Sequence, residues 1–148
     1  KQHEIDFRFD LALTFNTFDA HRLIHWAGEN GKADQLKEAF MVAYFTTGAD
    51  LSKEENLLLV VESVGLNKDS AVEVLNSELF AAEVQSDISQ ARSLGIQGVP
   101  FFLVEGNRGL SGAQDDAVFD QMVQMLLDEN KMLDTEAGAN CKPDGTCD

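Results

Sequence analysis

"GIQGVPFF", residues 95–102, is where the chain changes character. Two glycines and a proline run straight into two phenylalanines and an apolar stretch, Phe101-Phe102-Leu103-Val104. Proline has no N–H to donate to a ladder, so it is confined to the start or the edge of a strand. The pattern therefore predicts a strand over 101–105 that opens at Pro100. Gly106-Asn107 gives a turn, and a return strand over 108–111 completes a hairpin. "SGAQDD", residues 111–116, then leads into a helix over about 115–129, with Val118, Phe119, Met122, Val123, Leu126 and Leu127 facing inward.

Upstream of the motif, Gly95 ends a helix whose one face carries Phe80, Val84, Ile88 and Ala91. A shorter helix precedes it over 68–76. Ser52 and Glu55 form a capping box ahead of a stripe of Leu57, Leu58, Val61 and Val64, which Gly65 stops. Leu36, Ala39, Phe40, Ala43 and Tyr44 recur at helical spacing, and Gly48 closes that helix. The first helix is capped by Asn16 or Thr17 and carries Ala20, Leu23, Ile24 and Ala27 on its stripe. At the front, Ile5, Phe7, Phe9, Leu11 and Leu13 alternate with Glu4, Asp6, Arg8, Asp10 and Ala12, the period of a half-buried strand. The order is strand, five helices, hairpin, helix, without internal repeats. This is an α/β chain, helix-rich, with helices 17–76 set into an α/β frame.

Charge and cysteine usage narrow the functions. With 26 acidic against 11 basic residues the net charge is −15. That field repels phosphate backbones and anionic lipid surfaces, so no nucleic-acid and no membrane partner is expected. No apolar run approaches the roughly 20 residues of a membrane span. Both cysteines, Cys141 and Cys147, lie in the last eight residues, so the body of the fold stands on packing rather than on disulfides. Trp26 and the phenylalanines are expected in that core.

Four stretches in order, "NTFDAHRLIHWA" (16–27), "AYFTTGADLS" (43–52), "ARSLGIQGVPFFLV" (91–104) and "LSGAQ" (110–114), resemble the DsbA-like thioredoxin-fold family. The nearest branch is the cytosolic dithiol–disulfide oxidoreductases, sometimes called polyketide biosynthesis isomerases. The likeness extends from residue 4 to about 130. It implies a thioredoxin-like fold with a helical insertion domain: 1–16 and 77–130 as the thioredoxin-like part, 17–76 as the insertion, and 131–148 as a flexible tail with a cysteine pair. It also implies a bacterial cytoplasmic location, the periplasm being left open.

Members of that family begin with a strand and a Cys-x-x-Cys at the start of a helix, whose N-terminus lowers the pKa of the nucleophilic thiol. This sequence contains no Cys-x-x-Cys, so the resemblance places no catalytic residue in it. The expectation is an N-terminally truncated chain: either a longer gene product, or a second chain that fills the central strand. A homodimer built by strand exchange is the simplest such arrangement. The resemblance further implies a cis bond at Val99-Pro100. The Val99 N–H and C=O would then face an extended substrate peptide, and Pro100 would wall the active-site disulfide. Asn16 and Thr17 would stand near the cleft.

Two residue pairs have more than one reading. His21 and His25 lie at i, i+4 on the first helix, a spacing open to zinc, but no HExxH and no third ligand accompany them. They read as structural histidines, and no metal is expected. Cys141 and Cys147 flank a Pro-Asp-Gly turn that can bring them together. They are a reducible clip, two free thiols, or an auxiliary redox pair exchanging with the absent active-site disulfide. The parent function is thiol–disulfide exchange on a disulfide-containing protein or a small thiol, without a cofactor. The alternatives are a glutathione-dependent transferase or 2-hydroxychromene-2-carboxylate isomerase-like enzyme, for which glutathione would be the cofactor, and a non-catalytic peptide-binding or scaffold fragment.

Overall fold

The computed structural model describes residues 7–104 and 108–137. Its contacts divide the chain into two compact units, Lys1–Gly95 and Ile96–Asp148. The first holds five helices: α1 (Phe18–Glu29), α2 (Ala33–Phe45), α3 (Glu54–Ser63), α4 (Lys68–Leu75) and α5 (Ala81–Ser93). The second holds β1 (Phe101–Val104), β2 (Arg108–Ser111) and α6 (Asp116–Ala137).

In the first unit α1 is the hub. It packs against α2, α4 and α5, while α3 bridges α2 and α4. The apolar stripes meet in one core in which Leu23, Leu36, Val61 and Val74 are fully buried and Trp26 and Phe40 nearly so. Asn67 caps α4, its Oδ1 accepting the Ser70 N–H at 2.9 Å. Asn16 fastens the start of α1 by accepting the Phe18 N–H at 3.0 Å, while Thr17 holds the cap position without a side-chain bond. The capping box expected at Ser52 and Glu55 does not form. Asp50 takes Ser52 instead, its Oδ1 accepting both the Ser52 N–H (3.1 Å) and the Ser52 hydroxyl (2.5 Å). A carboxylate two residues away outcompetes the helix start for the same donor. Those bonds hold the Asp50 carboxyl below the usual carboxylate range, the Ser52 hydroxyl being the chief cause.

The strand expected over 4–13 is not a strand in its described part, residues 7–13. Leu11 N–H donates to Arg8 O (2.9 Å) and Arg8 N–H to Phe45 O (2.7 Å), so the segment turns at the end of α2. A strand needs a ladder partner along its length, and among the described residues the sheet is β1 with β2 alone. The alternation still serves. It puts Phe7 and Phe9 on one side, stacked at 5.4 Å and set edge-on to Phe45 at 5.5 and 6.0 Å. Those two rings remain substantially exposed, as does Phe102, so not all the phenylalanines are core.

Gly48 closes α2 with φ +70°, and a Cβ there would stand 2.5 Å from the Leu11 Cβ. Gly48→Ala is therefore penalised twice, by the left-handed backbone and by contact with a first side-chain carbon that cannot swing away. The expected cost is about 1–3 kcal/mol. Urea unfolding followed by far-UV circular dichroism checks it, and Gly31→Ala, where no atom lies within 4 Å of an added Cβ, should cost less.

In the second unit, β1 and β2 pair antiparallel with Phe101 opposite Ser111 and Val104 opposite Arg108. The Phe101 ring lies across Gly109, where a Cβ would come within 2.4 Å of its tip, so a side chain there would have to displace the ring. The expected Gly106-Asn107 turn falls outside the described residues. On α6, Phe119 meets Phe102 edge-to-face at 4.9 Å, whereas Val123 and Leu127, expected inward, are exposed. The helix runs to Ala137, so residues 131–137 of the expected tail are helical. Nothing breaks that helix earlier, because the next glycine is Gly138 and no proline comes before Pro143. α5 falls within the first unit, where it packs against α1.

Candidate functional site

In the second unit the site is built around the residues that precede β1. The Val99–Pro100 peptide bond is cis. Pro100 C=O accepts the Gly112 N–H at 2.8 Å, which extends the hairpin pairing by one bond and fixes Pro100 to β2's exit. Val99 lies one residue outside that pairing and is 91% exposed. Gly98 has open space where a Cβ would be. The edge of β1 that faces away from β2 carries no strand among the described residues. The arrangement is a rigid hairpin root followed outward by an uncovered backbone, the form on which an extended peptide can add.

In the first unit, Asn16 and Thr17 open onto a cleft of about 400 Å³ between the start of α1 and α5, with His21, Val84, Asp87 and Ile88 along it. His25 Nε2 and Asp87 Oδ2 are 2.8 Å apart and tie α1 to α5. His25 thus has a structural partner. Among the described residues no three histidine, cysteine, aspartate or glutamate side chains are grouped to hold a metal ion. Thr17 and His21 also border a second cleft of about 390 Å³ between α1 and α2, floored by Ala20, Phe40 and Leu51. Cys141 and Cys147 lie outside the described residues.

Arg22 escapes sequence reasoning. It sits among the apolar positions of α1 and is 5% exposed. Its Nε donates to Leu79 O (2.9 Å), its Nη1 to Asp19 Oδ1 (2.9 Å), and its Nη2 to the carbonyls of Val74 and Ser77. The guanidinium thereby fixes the link between α4 and α5 onto α1. The only local signal is Asp19 at i−3. Tyr44, read as an apolar stripe residue, also has a polar task, donating its hydroxyl to Leu13 O at 2.9 Å.

The model of the DSBA-like thioredoxin domain matches residues 1–124. Among solved structures, a probable DsbA oxidoreductase from Streptomyces coelicolor is similar, with 31% sequence identity and a TM-score of 0.71 over 91% of this chain. The chain spans 58% of the length of that structure's chain. No curated protein matches. The fold is thioredoxin-like and helix-rich.

Proposed function

The chain belongs to the DSBA-like thioredoxin-domain family, and on that premise we propose that it is the substrate-holding part of a thiol–disulfide oxidoreductase. In the exchange, a thiolate attacks one sulfur of a substrate disulfide. A mixed disulfide forms, the substrate S–S bond breaks, and the leaving sulfur departs as a thiolate that takes up a proton. A second thiol then attacks the mixed disulfide, so the substrate gains two electrons and the dithiol becomes a disulfide. The sequence has no Cys-x-x-Cys to perform these steps. What it offers is the hairpin root: the Val99 N–H and C=O would hold an extended peptide in register, with Pro100 beside the reacting sulfurs.

The observation that carries this reading is Val99 itself. It is 91% exposed directly ahead of the hairpin, in a chain of the DSBA-like thioredoxin-domain family. Titration of the ¹⁵N-labelled chain with an extended peptide carrying a disulfide tests it. The Val99 amide should shift, and its hydrogen exchange should slow about fivefold at saturation, as one added hydrogen bond requires. Shifts confined to the helices of the first unit, with the Val99 amide unmoved, would contradict it.

A further inference from the structure

The cleft between α1 and α2 has no part in the thiol–disulfide reading. Its volume, about 390 Å³, lies within the ~300–1,000 Å³ range of small-molecule sites. Its floor is apolar, with Ala20, Phe40 and Leu51 all nearly buried. Tyr44 lines it with a hydroxyl already committed to Leu13 O at 2.9 Å, so that side chain's donor is not left seeking a ligand. Met41, 50% exposed, stands at the mouth with a side chain that can adjust to an occupant.

Charge separates this cleft from the rest of the surface. The chain carries 26 acidic residues against 11 basic ones, yet no aspartate or glutamate lines the cleft. Besides Tyr44, its ionisable linings are Lys37 and His21, both exposed and therefore at the rim. Lys37 Nζ reaches Asp34 Oδ1 at 3.2 Å, but both side chains are solvated, and such pairs are weak and readily shared. An apolar floor beneath a cationic rim matches a molecule with an apolar tail and an anionic head. We propose that this cleft binds a medium-chain aliphatic monocarboxylate. The tail lies on Ala20, Phe40 and Leu51, and the carboxylate meets Lys37, with His21 as a second donor.

The test is calorimetric titration of the 148-residue chain at neutral pH with hexanoate, octanoate, decanoate and octylamine. Saturable one-to-one binding is expected, tightening about tenfold for each two methylenes added. Octanoate should bind more tightly than octylamine. Lys37→Gln should weaken octanoate about two- to fivefold without weakening octylamine. Met41→Trp, at an exposed position, should fill the mouth and weaken decanoate at least tenfold while the circular dichroism spectrum is unchanged. The proposal is overturned by absence of saturation, by equal affinity for octanoate and octylamine, or by decanoate binding that neither substitution alters. It is equally overturned if no carboxylate binds and Met41→Trp instead abolishes a self-association seen by light scattering, which would assign the cleft to a second copy of the chain. Lys37 is exposed and outside the core, so its variant decides the matter even if Met41→Trp does not fold.

Discussion

Arg22→Met should lower the stability of the helical unit by about 3 kcal/mol or more. Arg22 is 5% exposed, and its guanidinium donates to three backbone carbonyls, those of Val74, Ser77 and Leu79, as well as to Asp19. Methionine fills similar volume but donates nothing. Val74 O keeps the Ser77 hydroxyl at 3.1 Å, but the Ser77 and Leu79 carbonyls lose the guanidinium. A carbonyl left without a donor costs on the order of 1–3 kcal/mol, and packing gained by the thioether offsets only part of that. Trp26 is the sole tryptophan and sits in α1 beside Arg22, so its fluorescence reports on this unit directly. The urea midpoint should fall by about 1–3 M, given slopes of about 1–3 kcal/mol per M for small units. Arg22→Lys should fall between, because one ammonium cannot span a fork of three carbonyls. A midpoint within 0.2 M of the parent, a shift of about 0.5 kcal/mol or less, would mean that water replaces the guanidinium and that the clamp is dispensable.

The largest effect on activity is expected from the tail. Thiol–disulfide exchange requires a thiolate, and the chain's two cysteines are Cys141 and Cys147. Any reduction of a disulfide substrate by this chain must therefore pass through one of them. Five residues separate them, not the two of the family's Cys-x-x-Cys. The parent chain should consequently be a slow catalyst. Cys141→Ser should leave a single thiol able to form a mixed disulfide but with no partner to resolve it, so turnover should stop after one exchange. The double serine variant should be inert.

Much of the helical architecture was legible because each helix writes its own stripe. Leu23, Leu36 and Val61 all come from runs at helical spacing, and all are fully buried. Gly65 and Gly95 stand just past their helices with positive φ, a local requirement that a local signal can announce. The hairpin was legible for the same reason. What failed was non-local. Alternation over 4–13 shows that residues share a side, not that a strand lies beside them, and Phe7 and Phe9 found Phe45 instead. Ser52 had two acceptors in reach, and spacing alone does not rank Asp50 above a capping box. Arg22 looked like an interruption of an apolar stripe because its partners are 52 to 57 residues away in sequence. Of the site, Val99 and Pro100 entered through resemblance to a family rather than through periodicity. The α1–α2 cleft, assembled from four separate segments, left no signature in any one of them.

The central claim is that this chain carries a substrate-holding surface of a thiol–disulfide oxidoreductase without the helix-borne cysteine pair. Insulin reduction in the presence of dithiothreitol, measured for the 148-residue chain and for its Cys141→Ser/Cys147→Ser variant, tests it most directly. The account predicts a rate for the variant equal to that of dithiothreitol alone, and at most a small increment for the parent chain. Acceleration by the cysteine-free variant, with no other protein present, would contradict it.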